Sequence, residues 1–327
     1  MDTTSRTYRL VCFDLDGTLL PMDIDEFMQG YFFTIVRFAA QRGFDADAFM
    51  RALKAGIKAM ATHEGAATNE EAFWAAFGEV YGEGAEEVRA VIGDYYNGDF
   101  AKIGEGSEPN APAVRAIETL KRKGYPLMLT TMPMFPRCAV EQRLRWAGVD
   151  HVVFERITSY ENSKSVKPRQ TYYAENLAAA HVAGSDVLMV GNNTMEDLAF
   201  LDLGADAFLV TDCLLNPIDM DLDEVRHGTM EDFARWVEAL PDCADPVRTV
   251  DEGPIGKDAM ESAFAANAVG DIDRAASGAA AAAVAKNAVD EHASGKVAYA
   301  GHAAAKAGKD GAGAEAAGAA DTAGEVR

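Results

Sequence analysis

Short apolar runs alternate with segments of helical periodicity through most of the chain after residue 110. An earlier apolar run, residues 8–13, ends at Asp14 and predicts one more buried strand. Such alternation predicts an α/β fold, a doubly wound parallel sheet with helices on both faces and chemistry at the carboxyl ends of its strands. Strands are predicted within 126–132, near 151–154, at 186–190 and at 207–210, and helices at 110–124, near 136–147, near 169–182 and near 195–203.

Residues 23–99 interrupt this alternation with helical patterns alone. Four segments there carry apolar residues three and four positions apart; Asp45 can cap the second segment, and Thr68 with Glu71 forms a capping box for the third. The sequence therefore predicts an all-helical domain inserted after the first strand. Four aromatic residues at helical spacing fit either the core of this insert or the lining of a pocket: Phe27, Tyr31, Phe32 and Trp74.

The last part of the chain differs in composition from the rest. Residues 251–327 are dominated by alanine and glycine and hold few large apolar side chains, so we expect this tail to be disordered. The core of the protein is then predicted to comprise residues 1–22 and 100–250, on either side of the helical insert.

Charge and hydropathy limit the classes of partner. The chain of 327 residues carries a formal net charge of -22, from 52 acidic and 30 basic residues. A surface that binds nucleic acid or anionic membrane must offset phosphate charge, so we expect neither partner. No run approaches the roughly 20 apolar residues that span a bilayer, and no signal peptide is evident at the start. These features predict a cytoplasmic protein and give no indication of its oligomeric state.

The stretch FDLDGTLL, residues 13–20, carries the strongest chemical signal. Asp14 and Asp16 lie two apart where the first strand ends, so they can share a hard cation while one carboxylate faces a substrate. In that interpretation Asp14 is a nucleophile and Asp16 the general acid and base, with Thr18 holding the Asp16 carboxyl in place. An acidic turn that caps the strand is the alternative interpretation.

Four motifs in the same order make the chain similar to the haloacid dehalogenase-like hydrolases, a superfamily that includes magnesium-dependent phosphatases with a helical cap. Besides FDLDGTLL, they are LMLTTM, SVKPRQTYY and VGNNTMED. The resemblance implies that Thr130 and the backbone N–H of Thr131 bind a phosphoryl oxygen. It also implies that Lys167 offsets the charge at Asp14, with Lys164 as a rival for that role.

The fourth motif departs from the family pattern, in which a strand ends in Gly-Asp and a second acid follows four or five residues after that aspartate. Asn193 and Asp197 have the four-residue spacing, so we predict a Mg²⁺ site formed by Asp14, Asp16, Asn193 and Asp197. Glu196 is the alternative acid if Asn192 is the true counterpart of the family's first aspartate. An amide oxygen can bind Mg²⁺, although it brings one negative charge fewer.

The resemblance implies a Mg²⁺-dependent phosphomonoester hydrolase that acts on a small phosphorylated metabolite through an aspartyl-phosphate. A catalytically silent protein that binds such a metabolite and a sugar phosphomutase are the alternatives. A dehalogenase is disfavoured because Asp16 offers a leaving-group acid that such chemistry does not need.

Overall fold

A computed structural model describes residues 7–63 and 65–269. Six strands form one parallel sheet in the order β3-β2-β1-β4-β5-β6. The strands are β1 (Leu10–Phe13), β2 (Leu127–Leu129), β3 (Arg156–Ile157), β4 (Val187–Gly191), β5 (Asp206–Val210) and β6 (His227–Gly228). The helices are α1 (Ile24–Gln41), α2 (Ala46–Thr62), α3 (Asn69–Tyr81), α4 (Ala85–Asn97), α5 (Ala111–Arg122), α6 (Arg137–Trp146), α7 (Gln170–Ala180), α8 (Met230–Ala239) and α9 (Lys257–Asn267). The predicted doubly wound parallel sheet is confirmed.

The central strand β1 is apolar on both faces because helices cover both sides of the sheet. Val11 and Phe13 pack into the cluster that includes α5 and α8, whereas Leu10 and Cys12 pack against α7. Strand β1 pairs with β2 on one side and with β4 on the other, so the strand order changes direction at β1. A crevice therefore opens beyond the carboxyl end of β1, where such sheets bind their ligands.

Helices α1–α4 all lie between β1 and α5 in the chain, as the helical patterns predicted. Their starts are capped by the residues expected from the sequence: Asp45 accepts the backbone N–H of Ala48, and Thr68 with Glu71 forms a capping box. Within residues 7–63 and 65–269, no helix is long and apolar enough to cross a membrane.

Two predicted elements differ in the structure. The strand expected near 151–154 is a 3-10 turn, because the Asp150 side chain accepts the Val152 N–H at 3.1 Å; the short strand β3 follows it. The helix expected near 195–203 is a 3-10 helix at Asp197–Leu203. Its start is delayed because Asn193 Oδ1 accepts the N–H groups of the two residues before it.

The segment 251–269, which was assigned to the disordered tail, is folded onto the core. Ile255 and Met260 pack with Ala179 of α7, and the Arg156 guanidinium donates to the carbonyls of Asp251 and Gly253 at 2.5 and 2.8 Å. A few apolar side chains and one buried arginine thus order a stretch whose composition predicted disorder. The rest of the predicted tail, 270–327, lies outside the described residues.

Candidate active site

The first motif places Asp14 where β1 enters the crevice. Its backbone N–H donates to the Val190 carbonyl at 2.8 Å, which continues the β1–β4 pairing by one residue. Gly17 then turns the chain with φ +82°, and a Cβ at this position would collide with the Asn192 side chain. Glycine is therefore required both by the backbone conformation and by the close approach of Asn192.

Lys167 is the cation closest to Asp14. Its Nζ lies 2.8 Å from Asp14 Oδ1 and 2.6 Å from Asp197 Oδ1, and its side chain is 1% exposed. Burial disfavours its charge, but the two carboxylates outweigh that effect and raise the pKa of Lys167 well above its usual value. The rival Lys164 instead donates its backbone N–H to Glu175 at 3.0 Å.

Asp16 forms an ion pair with a buried arginine that the sequence analysis did not identify. Arg143 of α6 donates through Nη1 to Asp16 Oδ2, and its guanidinium lies 4.6 Å from the centre of the Phe135 ring. Burial raises the pKa of Asp16, and Arg143 opposes that rise. Asp16 Oδ1 and Arg143 Nη2 are both buried without a hydrogen-bond partner among the described residues.

A sequence signal for Arg143 does exist. It lies four residues after Ala139, three after Val140 and next to Leu144, all fully buried residues of α6. A charged residue on the apolar face of an amphipathic helix is expensive to bury without a partner. That mismatch could have marked Arg143 as the partner of an acid in the site.

The second motif contributes Thr131 rather than Thr130 to the crevice. The Thr130 hydroxyl is directed into the sheet, where it donates to the Phe13 carbonyl at 3.3 Å, so the predicted role of its hydroxyl does not fit this geometry. Thr131 lines the crevice, and its Oγ1 is buried without a hydrogen-bond partner among the described residues. The signal was ambiguous because two threonines follow the same short strand.

The two asparagines of the fourth motif have different contacts. Asn193 Oδ1 accepts the N–H groups of Met195 and Glu196 at 3.0 and 3.1 Å, which closes the local turn. Asn192 Oδ1 lies 3.1 Å from the Thr18 hydroxyl, which is itself 3.2 Å from Asp14 Oδ2. The prediction of Asn193 as a metal ligand therefore does not fit this geometry, since its side-chain oxygen is used by the turn, whereas Asn192 lies beside the nucleophile candidate.

Thr18 likewise has contacts other than those expected from the sequence. Its hydroxyl lies next to Asp14 and Asn192, not next to the Asp16 carboxyl. The hydroxyl proton of Thr18 can be donated either to Asp14 Oδ2 or to Asn192 Oδ1. Thr18 therefore links the end of β1 to the end of β4.

The two acids of the fourth motif also divide their roles. Asp197 Oδ2 accepts the N–H groups of Asn192 and Asn193, both at 2.9 Å, while Oδ1 binds Lys167, so both oxygens serve the turn and the lysine. Glu196 lines the crevice, and no described residue donates a hydrogen bond to its carboxyl group. Burial raises the pKa of Glu196 to about 7. Glu196 thus has the free carboxyl group, four residues after Asn192.

These contacts leave a set of oxygen donors that suits a hard cation. Asp14, Asn192 and Glu196 all line the crevice with carboxylate or amide oxygens, the ligands that Mg²⁺ accepts. In the described part of the chain, no group of three or more His, Cys, Asp or Glu residues is arranged to hold a metal.

The crevice continues into a large cavity of about 1420 Å³. Asp14, Asp16, Arg143 and Glu196 provide its charged groups near the sheet, and its other walls include residues from each of α1–α4. Tyr31 and Trp74 line the cavity and also pack with the hydrophobic core, whereas Phe27 and Phe32 belong to that core and are not among the described lining residues.

Comparison with known proteins agrees with the motifs. The family model for haloacid dehalogenase-like hydrolases matches residues 8–202. Curated protein sequences gave no significant match.

Solved structures with similar folds show low sequence identity. A predicted phosphoglycolate phosphatase from Haemophilus somnus has 14% identity and a TM-score of 0.44, covering 71% of this chain and 99% of that one. The L-2-haloacid dehalogenase from Xanthobacter autotrophicus has 15% identity and a TM-score of 0.41, with coverage of 71% and 99%. CbbY from Rhodobacter sphaeroides, crystallised with xylulose-(1,5)bisphosphate, has 16% identity and a TM-score of 0.43, with coverage of 69% and 96%. The family match, which spans more than half of the chain, shows that this protein belongs to the haloacid dehalogenase-like hydrolases.

Proposed function

We propose that the protein is a Mg²⁺-dependent phosphomonoester hydrolase that acts on a phosphorylated metabolite through an aspartyl-phosphate at Asp14. The observation that carries this proposal is the pairing of Asp14 with Lys167 at 2.8 Å at the end of β1, beside a large cavity. A buried ammonium at this distance offsets the negative charge of an approaching phosphoryl group.

The reaction needs one nucleophile and one proton carrier. An Asp14 oxygen attacks phosphorus, the ester P–O bond breaks, and Asp16 donates its proton to the leaving alcohol oxygen. Asp16 then accepts a proton from water as the water oxygen attacks phosphorus. The bond between phosphorus and Asp14 breaks, which releases inorganic phosphate and restores both carboxyl groups. Burial, which raises the pKa of Asp16, favours the protonated form that the first step requires.

Three groups would bind the phosphoryl oxygens during these steps. Thr131 lines the crevice and its buried hydroxyl has no hydrogen-bond partner among the described residues, and its backbone N–H is the second donor that the family pattern implies. Lys167 supplies the positive charge. Hydrogen bonds to a charged phosphoryl oxygen are stronger than those between neutral groups.

Mg²⁺, when bound, would neutralise part of the charge that gathers between the carboxylates and the phosphoryl group. We assign it to Asp14, the Asp16 backbone carbonyl, Asn192 and Glu196, in place of the predicted set with Asn193 and Asp197. Asp197 instead positions Lys167 and the turn after β4.

Arg143 acts as a positioning residue in this proposal. Its guanidinium holds one oxygen of Asp16 and leaves the other, Oδ1, without a partner among the described residues. We assign proton donation to the leaving group to that second oxygen.

The same ion pair favours a second candidate function, a protein that binds phosphorylated metabolites without hydrolysing them. A strong Asp16–Arg143 pair disfavours protonation of Asp16, and without that proton the ester bond to a poor leaving group stays intact. The intact pair of Asp14 and Lys167 makes the hydrolase the better supported function.

Hydrolysis of para-nitrophenyl phosphate across a Mg²⁺ titration tests the proposal, with Asp14→Asn as the control. We expect activity that rises with Mg²⁺ and is lost in the variant. Binding of inorganic phosphate without turnover, even at high Mg²⁺, would support the non-hydrolysing candidate. Full activity of Asp14→Asn would show that Asp14 is not the nucleophile.

A further inference from the structure

The cavity beside Asp14 extends among all four helices of the insert. Each helix contributes lining residues at helical spacing, such as Leu53 and Ile57 of α2 and Phe73 and Phe77 of α3. These four side chains are at most 9% exposed, so they form the inner face of the bundle and not an outer groove. The cavity is thus the centre of the helical insert, and it is continuous with the crevice at Asp14.

Its walls in α2, α3 and α4 carry no charged side chain among the described lining residues. They are Phe49, Leu53, Ile57, Met60, Phe73, Trp74, Phe77, Val88, Ile92 and Tyr96. The charged lining residues belong to other parts of the chain: Asp14, Asp16, Asp23, Asp25, Arg143, Glu196 and Asp212. The cavity therefore has a charged part and a long apolar part.

Two hydroxyl groups at the apolar part are already paired with each other. Those of Tyr31 and Tyr96 lie 3.0 Å apart. A pocket that binds a sugar needs unused donors and acceptors for its hydroxyl groups, because buried hydroxyls without partners are costly. This part of the cavity offers few such groups and is suited to hydrocarbon.

The volume of about 1420 Å³ is too large to be a packing defect. Protein cores are close-packed and contain few voids larger than a water molecule, and pockets for drug-sized ligands measure roughly 300–1,000 Å³. Part of this volume lies among the apolar side chains of the helical insert, where burial of an apolar group is favourable.

We propose that the substrate is the phosphate ester of a long apolar alcohol, with an alkyl or isoprenoid chain that occupies the helical insert while its phosphate lies at Asp14. This inference rests on the proposed function for the phosphate end and narrows the metabolite to an amphiphile. The apolar part of the cavity, not the catalytic groups, selects the substrate.

A series of n-alkyl phosphates from ethyl to dodecyl tests this on the unmodified full chain. We expect kcat/KM to rise by up to about fourfold per added methylene, the factor expected from complete burial of one CH₂, until the cavity is filled. Isoprenyl phosphates of matched carbon number distinguish branched from linear chains. A flat or falling series, with turnover of para-nitrophenyl phosphate intact, would overturn the inference and leave the proposed function standing.

Calorimetry with n-alkyl phosphonates, which cannot be hydrolysed, measures binding alone. It therefore tests the apolar site independently of the proposed hydrolysis. Affinity that rises with chain length in a protein that hydrolyses no phosphate ester would contradict the proposed function and support the apolar site. Affinity that does not depend on chain length would overturn the apolar site.

Ile57→Trp fills part of the cavity and tests its position. We expect the ratio of kcat/KM for decyl phosphate to that for ethyl phosphate to fall about tenfold or more, because the Trp side chain occupies the space in which several methylenes would be buried. Val80→Trp on the exposed side of α3 is the matched control, because Val80 is 46% exposed and is not among the described lining residues. An unchanged ratio in a folded Ile57→Trp variant would contradict the inference.

Discussion

Asn192 is the residue whose chemistry differs most from the family pattern. Its Oδ1 lies beside Thr18, and its Nδ2 donates to the Cys213 carbonyl at 2.6 Å, a bond that a carboxylate could not make. The amide therefore fixes the turn after β4 and leaves the site with one negative charge fewer. Weaker Mg²⁺ binding is the expected consequence.

Asn192→Asp restores the missing charge. We expect the Mg²⁺ concentration for half-maximal activity to fall about tenfold, because ligand charge is a main determinant of affinity at such sites. Asn193→Asp is the matched control, since its Oδ1 caps a turn, a role that aspartate performs equally well. If both variants shifted the Mg²⁺ dependence equally, the assignment of Asn192 would be contradicted.

Arg143→Met tests whether the arginine positions the acid. We expect kcat for alkyl phosphates to fall about 100-fold, within the range that general acid catalysis contributes. The loss for para-nitrophenyl phosphate should be much smaller, because its leaving group needs little protonation. Arg143→Lys, which keeps a cation near Asp16, should recover part of the loss. Equal losses on both substrates would indicate a merely structural role.

At the scale of secondary-structure elements, α7 and the segment 251–255 meet around a buried carboxyl group. Glu175 of α7 is fully buried, accepts the Lys164 N–H and lies near the buried Arg156 that binds 251–253. Burial raises the pKa of Glu175 from 4.5 to about 7. The folded state therefore holds a proton that the unfolded chain has already lost between these pH values.

Glu175→Gln should remove this dependence on pH. Because the unfolded chain binds fewer protons than the folded one between pH 4.5 and 7, the free energy of unfolding contributed by Glu175 falls as the pH rises through that window. Between pH 4.5 and pH 8, the free energy of unfolding of the variant should rise by about 3 kcal/mol relative to that of the unmodified protein. Urea unfolding at both pH values measures this, with the surface variant Glu155→Gln as control. If the free energies of unfolding of the variant and the parent differed by the same amount at both pH values, the prediction would be contradicted.

Elements defined by local signals were predictable from the sequence. The strand before Asp14, the caps at Asp45 and Thr68, and the helix that begins after Asn110 all depend on residues close in the chain. The strand β3 and the helix α9 depend on distant partners. Arg156 gains its acceptors from residues 95 and 97 positions away, and no local pattern reveals such a contact.

At the scale of the whole molecule, the helical insert is joined to the core at the start of α3. Asn69 Nδ2 donates to the carbonyls of Pro133 and Ser165 at 2.9 and 3.2 Å, and its backbone N–H donates to Ser163. Ser165 lies two residues before Lys167. The contact therefore joins the helical insert to the loop that carries Lys167.

Asn69→Ala should loosen this junction. Loss of the amide leaves two buried carbonyls without their donor, a cost of about 1–3 kcal/mol. We expect the backbone N–H groups of Asn69 and Glu70 to exchange with solvent about tenfold faster or more, while those of β4 change little. The exposed Asn97→Ala in the same insert is the control. Unchanged exchange at residues 69 and 70 would show that other contacts hold the insert.

The candidate site was predictable in outline but not in its details. Four motifs predicted that Asp14, Asp16 and Lys167 meet at one edge of the sheet, because parallel strands bring their carboxyl ends together, and Lys167 does lie 2.8 Å from Asp14. The choice between Thr130 and Thr131, or between Asn192 and Asn193, depends on which way each side chain turns after a strand. The Asp16–Arg143 pair spans 127 positions, so only the folded chain reveals it.

Acid-quenched mass spectrometry during turnover in ¹⁸O-water tests the central claim, that Asp14 is the nucleophile of a phosphatase, most directly. We expect a phosphoryl group on the peptide that contains Asp14 and one ¹⁸O atom in each released phosphate, because water attacks phosphorus. Hydrolysis of the ester without a phosphoryl group on Asp14, or with ¹⁸O incorporated into the Asp14 carboxyl group, would contradict the mechanism.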